Sequence, residues 1–262
     1  MIIKELTDRL EEQYPLCKAE SWDNSGLQVG RRDKEIKKVF LALDATDEVL
    51  EEAAAWHADL LLTHHPLMLS GVRQVTEESL IGHKIYTLIR HDICHYAMHT
   101  NYDVVEMGEA AGNMLKLQNT EVLEVTRTDE KSGKPEGIGI IGDLPQPITV
   151  GECGQNVKQA FGLDTVKIFG DLDQVIKRVA ICPGSGKSTI GTAIQKKAQA
   201  MITGDIGHHD GIDAVDQKMA VIDAGHYGVE HIFIERMEQY LKMQFPQLEV
   251  RKTESGNPFR VI

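Results

Sequence analysis

Ile36-Lys-Lys-Val-Phe-Leu-Ala-Leu43, a helix-length segment, and then Ala58-Asp-Leu-Leu-Leu-Thr-His-His65 decide the fold. Two short apolar runs separated by a helical segment read as a βαβ unit, with parallel strands and the helix across one face. The second run is continuously apolar, as a strand covered on both faces must be. It ends by presenting two imidazoles, and the C-terminal edges of such strands are where open α/β sheets place ligands.

The pattern returns without a gap from Ile176 to Asp205. Ile36-Lys-Lys-Val39 faces Ile176-Lys-Arg-Val179, Ala53 faces Ala193, Ala58 faces Ala198, and Thr63 faces Thr203. Apolar character is kept at Leu41/Ile181, Leu50/Ile190, Leu61/Met201 and Leu62/Ile202. Equal length through the helix and both turns favours duplication over the general likeness of any two βαβ units. The chain therefore reads as an α/β protein of two similar lobes, residues 1–125 and 126–262. The helix at 228–244, which carries Glu230, is a candidate to pack against the first lobe. Arg127–Gly137 is polar and turn-rich, as a loop or lobe junction would be. Behind it, Gly137–Gly142 reads as a strand, Leu144-Pro-Gln-Pro147 as a turn, Thr149–Phe161 as a helix and Val166–Phe169 as a short strand.

Composition excludes several classes. Over 262 residues the formal charge is −12, a poor match for a nucleic-acid surface. Cys17, Cys94, Cys153 and Cys182 form no Cys-x-x-Cys pair, so neither a zinc ribbon nor a disulfide framework is indicated. The first ten residues read as a charged amphipathic helix rather than a signal peptide. No run approaches the roughly 20 apolar residues of a membrane span. The expected location is the cytoplasm. Pro183-Gly-Ser-Gly-Lys-Ser188 resembles a phosphate-binding loop, but Ile181 stands where that motif needs its first glycine. A tight strand-to-helix turn is the better reading, with at most weak anion binding.

Two further segments share an unusual form. His99-Thr-Asn-Tyr-Asp103 and His226-Tyr-Gly-Val-Glu230 each place a carboxylate four residues after a histidine, and each follows an apolar strand-like stretch. On a helix, positions i and i+4 share a face. Val229, Ile232, Phe233, Met237, Tyr240 and Leu241 form the apolar stripe of a helix whose first turn holds Glu230. Imidazole nitrogen and carboxylate oxygen together suit zinc, iron, manganese or cobalt. Adjacent histidines at a strand end diverge and suit two ions rather than one, and a bridging carboxylate can hold such a pair roughly 3.5–4 Å apart. Taken singly, His64-His65 could be a structural pair, Asp103 a helix cap and Glu230 a solvated residue. Their joint occurrence at strand ends favours a metal centre.

Trp22-Asp-Asn-Ser-Gly-Leu-Gln-Val-Gly30, Leu62-Thr-His-His-Pro-Leu67, His99–Asp103, Thr203-Gly-Asp-Ile-Gly-His-His209 and Asp223-Ala-Gly-His-Tyr-Gly-Val-Glu230 run through the chain in the order seen in a known family. Over essentially its whole length the chain resembles the NIF-three-like dinuclear-metal family, often labelled GTP cyclohydrolase 1 type 2 homologue. The resemblance implies two α/β lobes with the metal site at strand C-terminal ends between them. It implies two divalent ions per subunit, with His64 and His226 on one, His65 and Asp103 on the other, and Glu230 bridging. It further implies a toroidal homohexamer, and the chain is too short for the domain some members insert between the halves. His99 is left to orient Asp103 or stand near the ions, and His208 and His209 to act as proton donors toward substrate, as a turn cap or as a solvent-facing pair. Trp22 and Asn24 are expected to shape the pocket wall, Trp22 by packing.

The function expected is metal-dependent hydrolysis of a small molecule, cyclohydrolase-like, at a C–N bond or a phosphoester. The alternative is a non-catalytic metal-handling or regulatory assembly. A regulatory partner of transcription proteins is a third class, acting through protein contacts rather than DNA.

Overall fold

Each apolar run of the sequence becomes an inner strand in the computed structural model, which describes residues 1–262. The chain begins with α1 (Ile3–Gln13), β1 (Gly26–Val29), β2 (Lys38–Ala42), α2 (Asp47–Ala55), β3 (Leu60–Thr63), α3 (Leu80–Arg90), β4 (Cys94–Ala97) and the single turn α4 (Thr100–Tyr102). A π-helical turn at Asp103–Met107 leads into α5 (Gly108–Met114), β5 (Gln118–Thr128), β6 (Pro135–Thr149), α6 (Val150–Phe161), β7 (Lys167–Phe169) and β8 (Val175–Ser185). Then follow α7 (Ile190–Gln195), β9 (Ala200–Gly204), α8 (His208–Asp216), β10 (Ala220–Asp223), α9 (His226–Glu230), α10 (Ile232–Gln244) and β11 (Glu249–Lys252). The elements gather into two compact units, one of residues 1–102 and 233–256, the other of residues 103–232 and 257–262.

In the first unit the sheet order is β1-β4-β3-β2-β11, parallel except for β1. The βαβ unit forms for local reasons. Thr46 caps α2 by accepting from the Val49 N–H, and Asp47 and Glu48 sit in the first turn where the helix dipole favours acids. The α2 residues Val49, Leu50 and Ala53 then close over Phe40 and Leu61 in one core with Ile85 and Leu88 of α3. Each of these side chains except Ala53 contributes about 1.5–3 kcal/mol on burial.

The second unit has the order β5-β6-β8-β9-β10-β7, with β8, β9 and β10 mutually parallel. Its helix α6 starts in a Thr149/Glu152 capping box and ends at Gly162 in the left-handed conformation. The two units repeat more than the aligned sequence shows. Helix, short strand, strand, helix, strand, helix, strand recurs as α1-β1-β2-α2-β3-α3-β4 and as α6-β7-β8-α7-β9-α8-β10. The strands pair alike, β1-β4-β3-β2 against β7-β10-β9-β8, with the short edge strand antiparallel in both.

Two sequence expectations need correction. Of the two readings of the polar stretch after Arg127, the loop holds and the lobe junction does not: it is the hairpin turn between β5 and β6, closed by Asp129 and Lys134 inside the second unit. Leu144–Pro147 does not end a strand either. β6 continues to Thr149, with its pairing to β8 shifted between Asp143 and Ile148. The prolines occupy this bulge, where a missing N–H breaks no ladder bond.

Strand β4 carries one imidazole into the interior. His95 is fully buried, with Nε2 2.8 Å from Thr63 Oγ1, while the Thr63 hydroxyl donates to the His65 carbonyl at 2.7 Å. His95 is therefore the donor through Nε2–H, and burial pushes its pKa down to about 3. The unfolded chain takes up this proton near the ordinary histidine value and the folded chain does not, so stability is full above about pH 6.5 and falls as pH drops from there. Unfolding of metal-free protein should lose about 1.4 kcal/mol per pH unit from this residue between about pH 6 and 4. His95→Gln, which keeps a donor for Thr63, should flatten that slope in denaturant titrations. Equal slopes in both proteins would contradict a buried neutral His95.

Candidate metal centre

Strand register builds the first unit's share of the site. Ala42 of β2 is opposite Thr63 of β3, so Asp44 and His65 each stand two residues beyond that pair on neighbouring parallel strands. His65 Nδ1 lies 2.8 Å from Asp44 Oδ1. On the other side Thr63 is opposite Ala97 of β4, and His64 Nδ1 meets the Met98 carbonyl at 2.7 Å. His64 is buried, its ring edge-on to Tyr102 and tilted against Phe233. His99 follows β4, with Nδ1 2.8 Å from Asp23 Oδ1.

Asp23 is the most heavily held carboxylate of the unit. Besides His99 it accepts from Asn24 N, Ser25 Oγ, Thr100 N and Thr100 Oγ1. Burial alone would raise its pKa, but the hydrogen bonds from His99, Thr100 and Ser25 outweigh burial and hold it well below the usual carboxylate range. The donor atoms of His64, His65 and His99 all lie within 4.8 Å of one another.

In the second unit His226 opens α9, with Nδ1 2.8 Å from Asp205 Oδ2 and Nε2 2.9 Å from Glu230 Oε2 one turn along. Asp103 begins the π turn, and its carboxylate lies within 4.8 Å of that of Glu230. Glu230 is buried against the glycine loop at the end of β8. A Cβ on Gly184 would stand 2.2 Å from Glu230 Oε1 and 3.5 Å from His226 Nε2, and Gly184 has φ +75°. Only glycine permits both the turn and this approach. The Cys182 thiol nearby is pushed up to about 12 by burial, with Asp103 and Glu230 adding to the shift, so it stays protonated in the metal-free protein; the groups placed to share an ion are histidines and carboxylates.

A carboxylate or carbonyl oxygen can only accept here, so His64, His65 and His99 each carry their proton on Nδ1; His226 Nδ1 likewise donates to Asp205, while its Nε2 faces the Glu230 carboxylate. A neutral ring then has its lone pair on Nε2. Metal-binding histidines are held in this way, by an oxygen behind the ring that fixes tautomer and orientation and raises basicity.

Of the residues singled out in the sequence, His64, His65 and His99 meet in the first unit, and Asp103, His226 and Glu230 meet in the second. His208 and His209 are exposed at the start of α8, ring against ring at 5.3 Å, and belong to neither group. Trp22 is 57% exposed rather than packed, its ring edge-on to His99 at 5.8 Å. The Pro183–Ser188 loop spends its polar groups internally: Gly186 N donates to Thr203 Oγ1, which donates to the Gly184 carbonyl, and Lys187 pairs with Asp210. Sequence reasoning missed Asp23, Asp44 and Asp205. The repeat held a clue to one of them, because Asp205 occupies the position of His65 and its carboxylate now orients His226.

A family model described as Duf34/NIF3 (NGG1p interacting factor 3) matches residues 1–258, and the chain belongs to that family. Relatives called GTP cyclohydrolase 1 type 2 homolog are 34% identical in Clostridium perfringens, over 267 residues, and 36% identical in Streptococcus pneumoniae, over 273 residues, with full coverage of both chains in each case. Among solved structures, Staphylococcus aureus hypothetical protein SA1388 superposes with a TM-score of 0.89 at 28% identity, over 100% of this chain and 99% of that one. A Bacillus cereus protein related to NIF3 reaches a TM-score of 0.91 at 22% identity, with the same coverage, and supports the fold.

The glycine loop gives a sharp expectation. Gly184→Ala should displace the Glu230 carboxylate and weaken metal binding by about tenfold or more, the range seen when a ligand's support is lost. Gly191→Ala, with nothing within 4 Å of the new methyl, should leave metal binding unchanged. Equal metal affinity in the two variants, read by competition with a chromogenic chelator, would contradict a metal-binding role for the Glu230 carboxylate that Gly184 packs against.

Proposed function

We propose that this chain is a dinuclear metal-dependent hydrolase, with His64 and His226 on one divalent ion, His65 and Asp103 on a second, and Glu230 bridging. The observation that carries the reading is the shared locking of His64, His65 and His226 with Nδ1 as donor, beside two carboxylates that gather in the second unit. Three nitrogen and two carboxylate donors without a thiolate suit zinc, iron, manganese or cobalt. When bound, such ions acidify water toward neutral pH and polarise the bond under attack.

The chain's own residues supply the rest. Asp44 and Asp205 keep the His65 and His226 rings aimed and electron-rich. Gly184 shapes the wall behind Glu230. His208 and His209, exposed at the start of α8, are the groups we assign to protonating a leaving nitrogen or oxygen. The names of the relatives favour a C–N bond in a heterocycle as the target, and a phosphoester would draw on the same groups. We place the site in a homohexamer acting on a small molecule.

Protein loaded in turn with each of the four metals should hydrolyse at least one member of a panel of nucleotides, cyclic amides and phosphoesters. Chelation and Glu230→Ala should each abolish turnover while the oligomer elutes unchanged. Readily exchanged metal with no turnover across the panel would instead favour metal handling. His65→Ala and Asp103→Ala should each halve the bound metal by elemental analysis, and unchanged stoichiometry would sink the ligand assignment.

A further inference from the structure

We propose that the second unit holds a small-molecule site at the end of β10, shaped for a planar aromatic ring that carries one carboxylate or similar acidic group. It is separate from the metal donors assigned above and does not depend on them.

The site follows from a difference between the two copies of the scaffold. In the first unit residues 14–25 join α1 to β1, and this connection folds over the end of β4. Asp23 accepts from Thr100 N and Oγ1, Ser25 Oγ accepts from His99 N, and Glu20 N donates to Thr100 Oγ1. In the second unit the matching connection, between α6 and β7, is only residues 162–166. It lays the Leu163 side chain against Gly228 of α9, and beside it stays a cavity of about 850 Å³. Pockets for small organic molecules have this size, and open α/β sheets bind them past the C-terminal ends of their strands.

The lining sets the chemistry. Tyr227 and His231, one turn apart, present stacked rings with centroids 5.4 Å apart and planes 13° from parallel. His231 Nδ1 donates to the Tyr227 carbonyl at 3.1 Å, which holds that ring in place. These two residues follow His226 and Glu230 by one position each, so they leave the helix about 100° around from the metal donors. Phe259 lies against Gly225 yet is 55% exposed. Three rings around one cavity favour a flat ring in stacked or edge-on contact. Of the charged groups, Asp223 is satisfied by Ile206 N, Gly225 N and Lys167 Nζ, and Lys167 is neutralised in that pair. Arg260 has no acidic partner, and its planar fork matches a carboxylate. Asp164, the opposing charge, is exposed on the connection, where solvent and salt screen it.

The protein is titrated by equilibrium dialysis with 2-naphthoate, with 2-naphthylmethylammonium, which reverses the charge, and with cyclohexanecarboxylate, which lacks the aromatic ring. The first should saturate at one molecule per chain, and the other two should bind at least about tenfold more weakly. Arg260→Gln should weaken 2-naphthoate by about tenfold or more, the cost of a hydrogen bond to a charged group. Phe259→Ala should weaken it as well, while Phe259→Tyr, which keeps the ring, should not. Both positions are exposed, so these variants keep the fold. No saturable binding of 2-naphthoate would overturn the proposal. So would equal binding of all three probes, or an affinity unchanged in Arg260→Gln or in Phe259→Ala. Metal content by elemental analysis should be the same in parent and variants, and a change there would overturn the separation of the two sites. Failure of 2-naphthoate to bind leaves the metal reading standing.

Discussion

A strand paired on both sides and covered on both faces can place a polar side chain only against a buried partner, as His95 of β4 meets Thr63, or at its end. Strands β3 and β9 are in that position, each lying between two parallel neighbours and fully buried. The polar groups of both strands gather at this end, where Thr63 is the last paired residue of β3 and Thr203 stands one residue before the last pair of β9. Thr63 turns its hydroxyl onto the His65 carbonyl and fixes the bend that presents His64 and His65. Thr203 clasps the Gly184–Gly186 loop, and that loop abuts Glu230. The equivalent hydroxyl secures the proposed ligands directly in one unit and through a glycine loop in the other.

The duplicated scaffold has been put to unequal use. In the first unit the imidazole stands at the end of the inner strand, and its supporting carboxylate, Asp44, comes from the strand beside it. In the second unit the carboxylate, Asp205, follows the inner strand and the imidazole, His226, follows the neighbour. The pairing of carboxylate with ring survives the exchange because both arrangements satisfy one requirement: a proton fixed on Nδ1 leaves Nε2 as the electron-pair donor.

Much of this was legible in the sequence because it is written in periodicity and spacing. The apolar runs at 39–43 and 60–62 and their copies give the parallel strands, and the segment from Thr149 to Phe161 gives α6. His64, His65, Asp103, His226 and Glu230 stand out because they interrupt or follow such runs. What escaped was whatever depends on pairing between distant segments. Asp23 meets His99 across 76 residues, and Asp44 meets His65 across 21, with no local pattern to announce either. The β5–β6 hairpin was misread for the opposite reason: its polar turn has the composition of a linker, and only the pairing of the flanking strands tells the two apart.

The central claim is that two divalent ions sit on His64, His65, Asp103, His226 and Glu230. It is tested most directly by anomalous X-ray scattering from crystals of the protein grown with zinc or manganese. Two anomalous peaks per chain are predicted, one against His64 and His226, the other against His65 and Asp103, with Glu230 touching both. A single peak, or peaks confined to surface residues away from these five, would contradict the account.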